Sequence, residues 1–367
     1  MFSVADYEYM SQALRLAERG LYTATPNPRV GCVIVRDGKV VGEGWHVRAG
    51  TPHAEICALQ QAGALAKGAT LYVTLEPCNH YGRTPPCTDA LIEAGVKCVI
   101  AAMPDPNPLV AKEGLKKLQA AGIQVTFGLQ QPEARELNNG FVMRMTRGTP
   151  WLRLKTASSL DGKTALNNGI SQWITGAAAR QDVHHWRARS CAMLTGIGTV
   201  LADDPLLTVR DVETTRQPLR VVLDSRLRMP PDAKILRGGN VIIITATQDQ
   251  TRREKLQEKG AEVLHLADSA GQVDLKRTMQ MLAGRGINEV TTEAGSALGG
   301  ALIAAGLADE LVIYLAPALL GDKARSMFEL PKLNGMEGRR ELHLRDVRMV
   351  GRDLRICARF SDQESKN

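Results

Sequence analysis

Apolar positions recur at helical spacing over residues 4–19, with Tyr7, Met10, Leu14 and Ala17 on one stripe and Gly20 as a stop. The pattern then switches to strands: RVGCVIV (29–35) and KVVGEGW (39–45), joined at Asp37-Gly38, read as a hairpin. A helix is predicted from about His53 to Ala62, a buried strand over 70–75, and a loop from Cys78 to Cys87. A helix over 88–94, a strand over 96–103, a helix over 110–121 and a strand over 123–128 follow. Strands alternating with helices predict a layered α/β domain. Asn138-Asn139-Gly140 and Gly148-Thr149-Pro150 then punctuate the chain and place a domain boundary near residue 145.

The second half restarts with strand WLRLKTA (151–157). A helix over 177–190 and strands over 192–196, 219–224 and 240–245 come next, then helix 251–259, strand 261–266 and helix 274–284. EVTTEAG (289–295) reads as a strand, 296–305 as a helix and ELVIYLAP (310–317) as a strand. This half is again α/β. No internal repeat joins the halves, so two different domains are predicted, 1–145 and 146–367. The tail SDQESKN (361–367) is expected to be disordered.

Composition narrows the class. A chain of 367 residues suits two domains at roughly 150 residues each. With 44% hydrophobic and 23% charged residues it can bury real cores. No apolar run reaches the roughly 18 residues a membrane helix needs. The opening MFSVADYEYM carries two acids and no basic residue, unlike a secretory signal. Seven cysteines are too sparse and uneven for a disulfide framework, which predicts a reducing, cytoplasmic setting.

The net charge of +7 is concentrated in one stretch. Residues 147–237 carry 14 basic and 8 acidic side chains, 14 − 8 = +6, whereas 1–146 carry 14 and 13 and 238–367 carry 18 of each. Aromatics are only 4% and the basic residues are mostly isolated arginines, so a nucleic-acid stripe is not indicated. Scattered arginines suit bidentate grips on small phosphorylated ligands. A solvated basic face is the plain alternative.

One constellation carries metal chemistry. His53-Ala54-Glu55 opens a helix, and Pro77-Cys78 and Pro86-Cys87 follow. One imidazole and two thiolates leave a fourth tetrahedral position of zinc for water, the catalytic arrangement. Zinc brings the pKa of such a water from about 16 to about 7. Glu55, not itself a ligand, can take that proton and pass it to a departing amine. Cys87 at a helix start gains thiolate character from the dipole. The residues match the H-x-E…P-C…C signature of cytidine-type and adenosine-type deaminases, except that the cysteines are spaced C-x8-C rather than C-x-x-C. A closed structural site with His80 as fourth ligand is the alternative. Cys32, Cys57 and Cys98 fall on apolar faces and read as core.

The second half has no G-x-G-x-x-G after a strand. Its strand EVTTEAG runs into helix SALGGALIAAG, with Gly295, Gly299 and Gly300 at the junction. Gly295 is expected to let the chain turn tightly, and the N–H groups beyond it form an anion site for a pyrophosphate. A glycine-rich helix packed closely on a sheet explains the same residues without a ligand.

TPNPRVGCVIV, GWHVRAGTPHAE and PCNHYGRTPPC together resemble the deaminase domain of the bifunctional riboflavin-biosynthesis deaminase–reductase family. KTASSLDGK (155–163), SQWITG (171–176), HHWRARSCAMLTGIGTVLADDPLLTVR (184–210) and EAGSALGG resemble its reductase domain. The two resemblances span the chain in the family's order. They imply a cytidine-deaminase-like three-layer domain fused to a dihydrofolate-reductase-like α/β domain, with Zn2+ and NADPH as cofactors. The implied zinc ligands are His53, Cys78 and Cys87, with Glu55 as proton shuttle. Asn27, His46 and His80 would contact pyrimidine or ribose, and Arg83 would lie near the phosphate.

In the reductase half the resemblance implies an NADPH site lined by Ala157, Trp173, Thr199, Asp203, Ser225, Gly295, Ser296, Ala297, Leu298, Gly299, Gly300 and Ala301. Ser171, Arg187, Leu207, Arg210 and Glu293 would hold substrate, Arg187 and Arg210 as phosphate clamps. Lys155 could polarise or protonate the reacting ribose oxygen. Ordinary roles stand beside these: Trp173 as a core aromatic, Asp203-Asp204 as a turn and cap, His46 and His80 as surface histidines. The implied reactions are deamination of 2,5-diamino-6-ribosylamino-4(3H)-pyrimidinone 5′-phosphate, then reduction of its ribosyl group to ribityl. The expected partner is that small phosphorylated pyrimidine, not nucleic acid or membrane, in a homodimer by general prior. A nucleic-acid deaminase with a non-catalytic second domain is the rival.

Overall fold

The computed structural model describes residues 1–81, 85–108 and 110–361. The chain divides into two compact units, Met1–Gly148 and Thr149–Asn367.

The first unit is built on a five-stranded sheet in the order β2-β1-β3-β4-β5. Its strands are β1 (Gly31–Arg36), β2 (Lys39–Trp45), β3 (Thr70–Val73), β4 (Cys98–Ala101) and β5 (Gln124–Phe127). Antiparallel pairing of β1 with both β2 and β3, and parallel pairing of β3, β4 and β5, leave β1 alone reversed. Period-two alternation sends Cys32 and Ile34 to one face and Val33 and Val35 to the other. The first face is covered by α2 (Ala54–Ala62), α3 (Cys87–Glu93) and α4 (Glu113–Ala120), the second by α1 (Val4–Glu18), α5 (Gln131–Leu137) and α6 (Asn139–Arg147). Three layers result.

Two expectations fail here. Asn138-Asn139-Gly140 is no loop: Asn138 is the hinge between α5 and α6, and α6 carries the first unit past position 145. Tertiary hydrogen bonds override the turn tendency, because buried Asn138 accepts the Arg29 N–H at 2.8 Å and donates to the Arg29 carbonyl at 2.9 Å. His53 is the extended N-cap of α2 rather than a residue of its first turn.

The second unit has a nine-stranded sheet in the order β11-β10-β9-β8-β12-β6-β13-β16-β15. Its parallel strands are β6 (Trp151–Ser159), β8 (Ala192–Gly196), β9 (Leu219–Leu223), β10 (Val241–Thr245), β11 (Ala261–His265), β12 (Glu289–Glu293) and β13 (Glu310–Ala316). β16 (Asp353–Phe360) and the edge strand β15 (Leu342–Val350) are antiparallel additions that the hydropathy pattern did not flag. The strand β15 was illegible because nearly all of its residues are solvent-exposed. A short ribbon pairs β7 (Lys163–Ala165) with β14 (Arg325–Ser326). Helices α10 (Leu275–Gly284) and α11 (Ser296–Ala304) cover one face; α7 (Ala177–Arg189), α8 (Ile197–Asp203) and α9 (Gln250–Glu258) cover the other.

Even-numbered β6 residues Leu152 and Leu154 enter the apolar core under α11, while Arg153, Lys155 and Ala157 face α7. Arg153 is 1% exposed and meets Glu310 at 2.8 Å and Glu289 at 3.4 Å, with its guanidinium 4.6 Å from the Trp186 ring. Of the tail, residues 362–367 lie outside the described residues. Among the described residues no helix is long and apolar enough to cross a membrane.

In the first unit β2 lies against α2 at glycines. A Cβ on Gly44 would come 2.2 Å from the Ala54 carbonyl oxygen and 2.7 Å from the Ala58 nitrogen. Gly44→Ala should therefore force β2 and α2 apart and cost about 1–3 kcal/mol. Urea unfolding of the first unit checks this; an unchanged midpoint would mean that the contact is soft.

Candidate active sites

The first site is assembled where two helices begin on the same edge of the sheet. β2 and β3 run parallel, so α2 and α3 both start near their carboxyl ends. That placement brings His53, the N-cap of α2, to Cys87, the first residue of α3, with Cys78 on the loop between β3 and α3. His53 Nδ1 lies 3.5 Å from Cys78 Sγ and 3.3 Å from Cys87 Sγ. Donors on a zinc tetrahedron are about 3.5–3.8 Å apart, so this set fits the ion. Among the described residues no other His, Cys, Asp or Glu joins the three. His80 is exposed and outside the cluster, so the closed four-ligand alternative is not built. The hydrogen bond between the two sulfurs holds the Cys78 thiol well below its ordinary value and raises that of Cys87.

Glu55, one residue into α2, is 3% exposed. Burial, then the Cys78 charge, push its carboxyl up to about 7. His46 packs edge-on against His53, with ring centroids 5.3 Å apart. Its Nε2 accepts from the Asn27 amide at 3.0 Å, and its Nδ1–H donates to the Pro52 carbonyl at 3.2 Å. Burial lowers its pKa and keeps the ring neutral. Asn27 and His46 thus gather at the metal-ligand cluster, and His46 is buried rather than a surface histidine. Arg83 lies outside the described residues.

The second site is a cavity of about 1700 Å³ within the second unit. Ordinary small-molecule pockets hold about 300–1,000 Å³, so there is room for two ligands. It runs along the carboxyl edge of the strands from β6 and β12 past β8 to β9. Lys155, Ala157, Ser171, Trp173, Arg187, Thr199, Asp203, Leu207, Arg210, Ser225, Glu293 and the turn Gly295 to Leu298 all line it. Trp173 is 68% exposed, with the Arg180 guanidinium 4.6 Å from its ring, and is not a core aromatic. Asp203 ends α8 and accepts from Gln172, while Asp204 takes the capping position.

Several expectations need correction. Gly299, Gly300 and Ala301 do not line the cavity. The two glycines instead admit a neighbouring segment: a Cβ on Gly300 would sit 2.0 Å from the Glu329 carbonyl oxygen. Gly295 has φ −71° and ψ 173°, a backbone any residue adopts, so no tight glycine turn exists there. Its missing side chain leaves the N-terminal amides of α11 open to the cavity instead. Leu207 lines the cavity while being 2% exposed and packed in the core, at φ 51°. Arg187 is no unengaged phosphate clamp: it grips Glu293 through two bonds, 2.6 and 2.9 Å, and donates to the Thr208 carbonyl.

Lys155 stands 3.8 Å from Glu293, so β6, β12 and α7 close a half-buried Lys155–Glu293–Arg187 cluster. Burial lowers Lys155, while Arg187 and Lys155 overcome the burial of Glu293 and hold its carboxyl at about 2. The sequence reading missed His184, whose Nδ1 accepts the Arg210 N–H at 3.2 Å; its signal was helical spacing, three residues before Arg187. It also missed Arg226 and Arg228, exposed on the cavity wall beside Ser225.

Comparison with known proteins agrees with this geometry. Residues 3–103 match the family described as the cytidine and deoxycytidylate deaminase zinc-binding region, and residues 150–356 match the RibD C-terminal domain. Fold and sites thus define a two-activity enzyme, a zinc-dependent deaminase joined to an NADPH-dependent reductase. The chain is 49% identical over 361 residues to the riboflavin biosynthesis protein RibD of Escherichia coli K12, covering 95% of this chain and 98% of that one. A solved RibD of Acinetobacter baumannii (form 1) superposes with TM-score 0.91 at 48% identity over 97% of this chain and 99% of its own. A Thermotoga maritima diaminohydroxyphosphoribosylaminopyrimidine deaminase/5-amino-6-(5-phosphoribosylamino)uracil reductase gives 0.85 at 33% identity, over 97% and 99%. The chain belongs to the RibD family of riboflavin-biosynthesis deaminase–reductases.

The Glu293 carboxyl at about 2 lies below its ordinary 4.5, so its stabilisation is full above about pH 4.5 and is lost as pH falls through about 2. Glu293→Gln should cost about 3 kcal/mol at neutral pH by leaving half-buried Arg187 without its carboxylate, and the deficit should vanish toward pH 2. Denaturant unfolding across that window checks it; a pH-independent deficit would show that the pair is not the cause.

Proposed function

We propose that the first unit deaminates 2,5-diamino-6-ribosylamino-4(3H)-pyrimidinone 5′-phosphate and that the second reduces the ribosyl group of the product. The observation that carries this reading is the His53–Cys78–Cys87 donor set with Glu55 buried beside it. Zinc, held by those three residues, supplies the Lewis acidity that makes water nucleophilic at neutral pH. Glu55 takes a proton from the attacking water and delivers it to the ring amine, which leaves as ammonia. Asn27, oriented by His46, presents its amide to the pyrimidine. His80, exposed on the cysteine loop, faces the ribose.

In the reductase the two ends of the cavity have different chemistry. NADPH supplies the hydride when bound. The Lys155–Glu293 end holds the only lysine lining the described cavity, and Lys155 there gives a proton to the ribosyl oxygen as C1′ is reduced. Ala157 and Trp173 flank the nicotinamide, and the α11 amides from Ser296 to Leu298 face the pyrophosphate with Thr199 and Asp203 nearby. Neighbouring strands are about 4.8 Å apart, so Ser225, just past the end of β9 and three strands from β6, lies about 14 Å along the sheet edge from Lys155. An extended dinucleotide places its adenosine ribose there. Arg226 and Arg228 meet its 2′-phosphate, since Asp224, the acid at that strand end, is buried and turned onto the Met229 N–H. Arg210 and Ser171 are left for the substrate phosphate. We further assign a cytoplasmic homodimer that acts on this small molecule rather than on nucleic acid; the uncovered residues Val347 and Met349 on β15 suit pairing.

Glu55→Gln should lower ammonia release about 10²–10⁴-fold while NADPH oxidation with the deaminated substrate continues. Following the two signals separately tests this, and undiminished ammonia release would remove Glu55 from the mechanism. The double change Arg226→Ala, Arg228→Ala should weaken NADPH binding about 10–100-fold and leave NADH unchanged, as expected for charge-assisted bonds worth roughly 1.5–3 kcal/mol. Fluorescence titration reads both constants; equal losses would place the 2′-phosphate elsewhere.

A further inference from the structure

Glu76 ends the segment that follows β3 and is 5% exposed. Its carboxylate is compensated almost entirely by backbone. Oε2 accepts the N–H groups of Asp105 and Lys112, both at 2.9 Å, and Oε1 accepts those of Gly114 at 2.9 Å and Leu115 at 3.3 Å. Gly114 and Leu115 lie in the first turn of α4, whose N-cap Lys112 supplies no side-chain cap. Glu76 therefore caps α4 from a different element, and its charge sits where the helix dipole favours an anion.

The contact continues toward the cysteine. A Cβ on Gly114 would lie 2.2 Å from the Pro77 carbonyl oxygen, so α4 abuts the residue immediately before Cys78. On the far side, the Cys87 N–H donates to Cys78 Sγ at 3.3 Å and the Thr88 N–H donates to the Cys78 carbonyl at 3.2 Å. The backbone at Cys78 is clamped between α4 and α3. The loop from Cys78 to Cys87 is long, so its start has no short covalent tether to the second thiolate.

We propose that Glu76 is a positioning residue of the metal centre: its four backbone bonds fix Glu76-Pro77-Cys78 against α4 and thereby set where the Cys78 thiolate stands. This rests on the zinc reading above. Merely stabilising α4 would be a different role, and the two are separable. Glu76→Gln keeps the shape but turns an NH2 donor toward two N–H donors. Gly114→Ala leaves the carboxylate intact and presses on Pro77 from the other side. Glu113→Gln alters an exposed α4 residue paired with Lys116 at 2.8 Å and serves as the control for α4 stability.

The full-length chains would be stripped of metal, checked for native circular dichroism and titrated with zinc against a competing chelator. Glu76→Gln and Gly114→Ala should each weaken zinc binding about 10–100-fold, as loss of supporting groups around a metal does, with Glu113→Gln within about two-fold of wild type. NADPH-dependent reduction should be unchanged in all three. Zinc affinity within about two-fold of wild type in both variants overturns the proposal, as does zinc lost only in step with unfolding of the first unit. A wild-type chain that binds no zinc would instead remove the deaminase reading on which the proposal rests.

Discussion

Parallel strands can be joined only by crossovers, so the helices that follow them all begin on one edge of the sheet. Both sites of this protein are consequences of that constraint. In the first unit it sets the starts of α2 and α3 side by side and so converts residues 53, 78 and 87 into a single donor cluster. In the second it lines up the ends of β6, β12, β8 and β9, with the open amides of α11, as the wall of one long cavity. Ligand sites at the carboxyl ends of strands are the general outcome of such sheets.

The second physical theme is how charge is kept out of water. Glu293 is held ionised by Arg187 and Lys155, whereas Glu289 pairs with Arg153 and Arg189 and Glu76 accepts four backbone N–H groups. Each removes the desolvation problem locally, because an unpaired buried charge would cost several kcal/mol. Glu55 differs. Burial raises it toward neutrality, leaving a carboxyl able to exchange a proton. Buried Arg153 and Glu289 complete a structural network, while Lys155, two residues on along β6, and Glu293, four residues on along β12, face the cavity. One sheet face thus carries both structural and chemical ion pairs, separated only by register.

Much of this was legible in the chain. Helical and period-two spacing gave β1 to β4 and most of the parallel strands of the second unit, since their side chains alternate between two covered faces. The zinc donors were legible because proline-cysteine pairs and H-x-E are chemically distinctive. The exposed strand β15 was not, having no buried stripe to mark it. Asn138 misled for a different reason: its residue type favours turns, and only a partner 109 positions away, Arg29, gives it a helical hinge to hold.

By itself, the sequence determined the layered classes of both units and singled out the three residues that gather as a candidate metal-donor set, because these depend on local periodicity and side-chain chemistry. Tertiary structure alone decided that Arg187 is engaged by Glu293, that Gly300 serves packing and that Glu76 braces Cys78. Those roles depend on which groups meet across tens of residues, a distance relation that spacing along a chain does not encode.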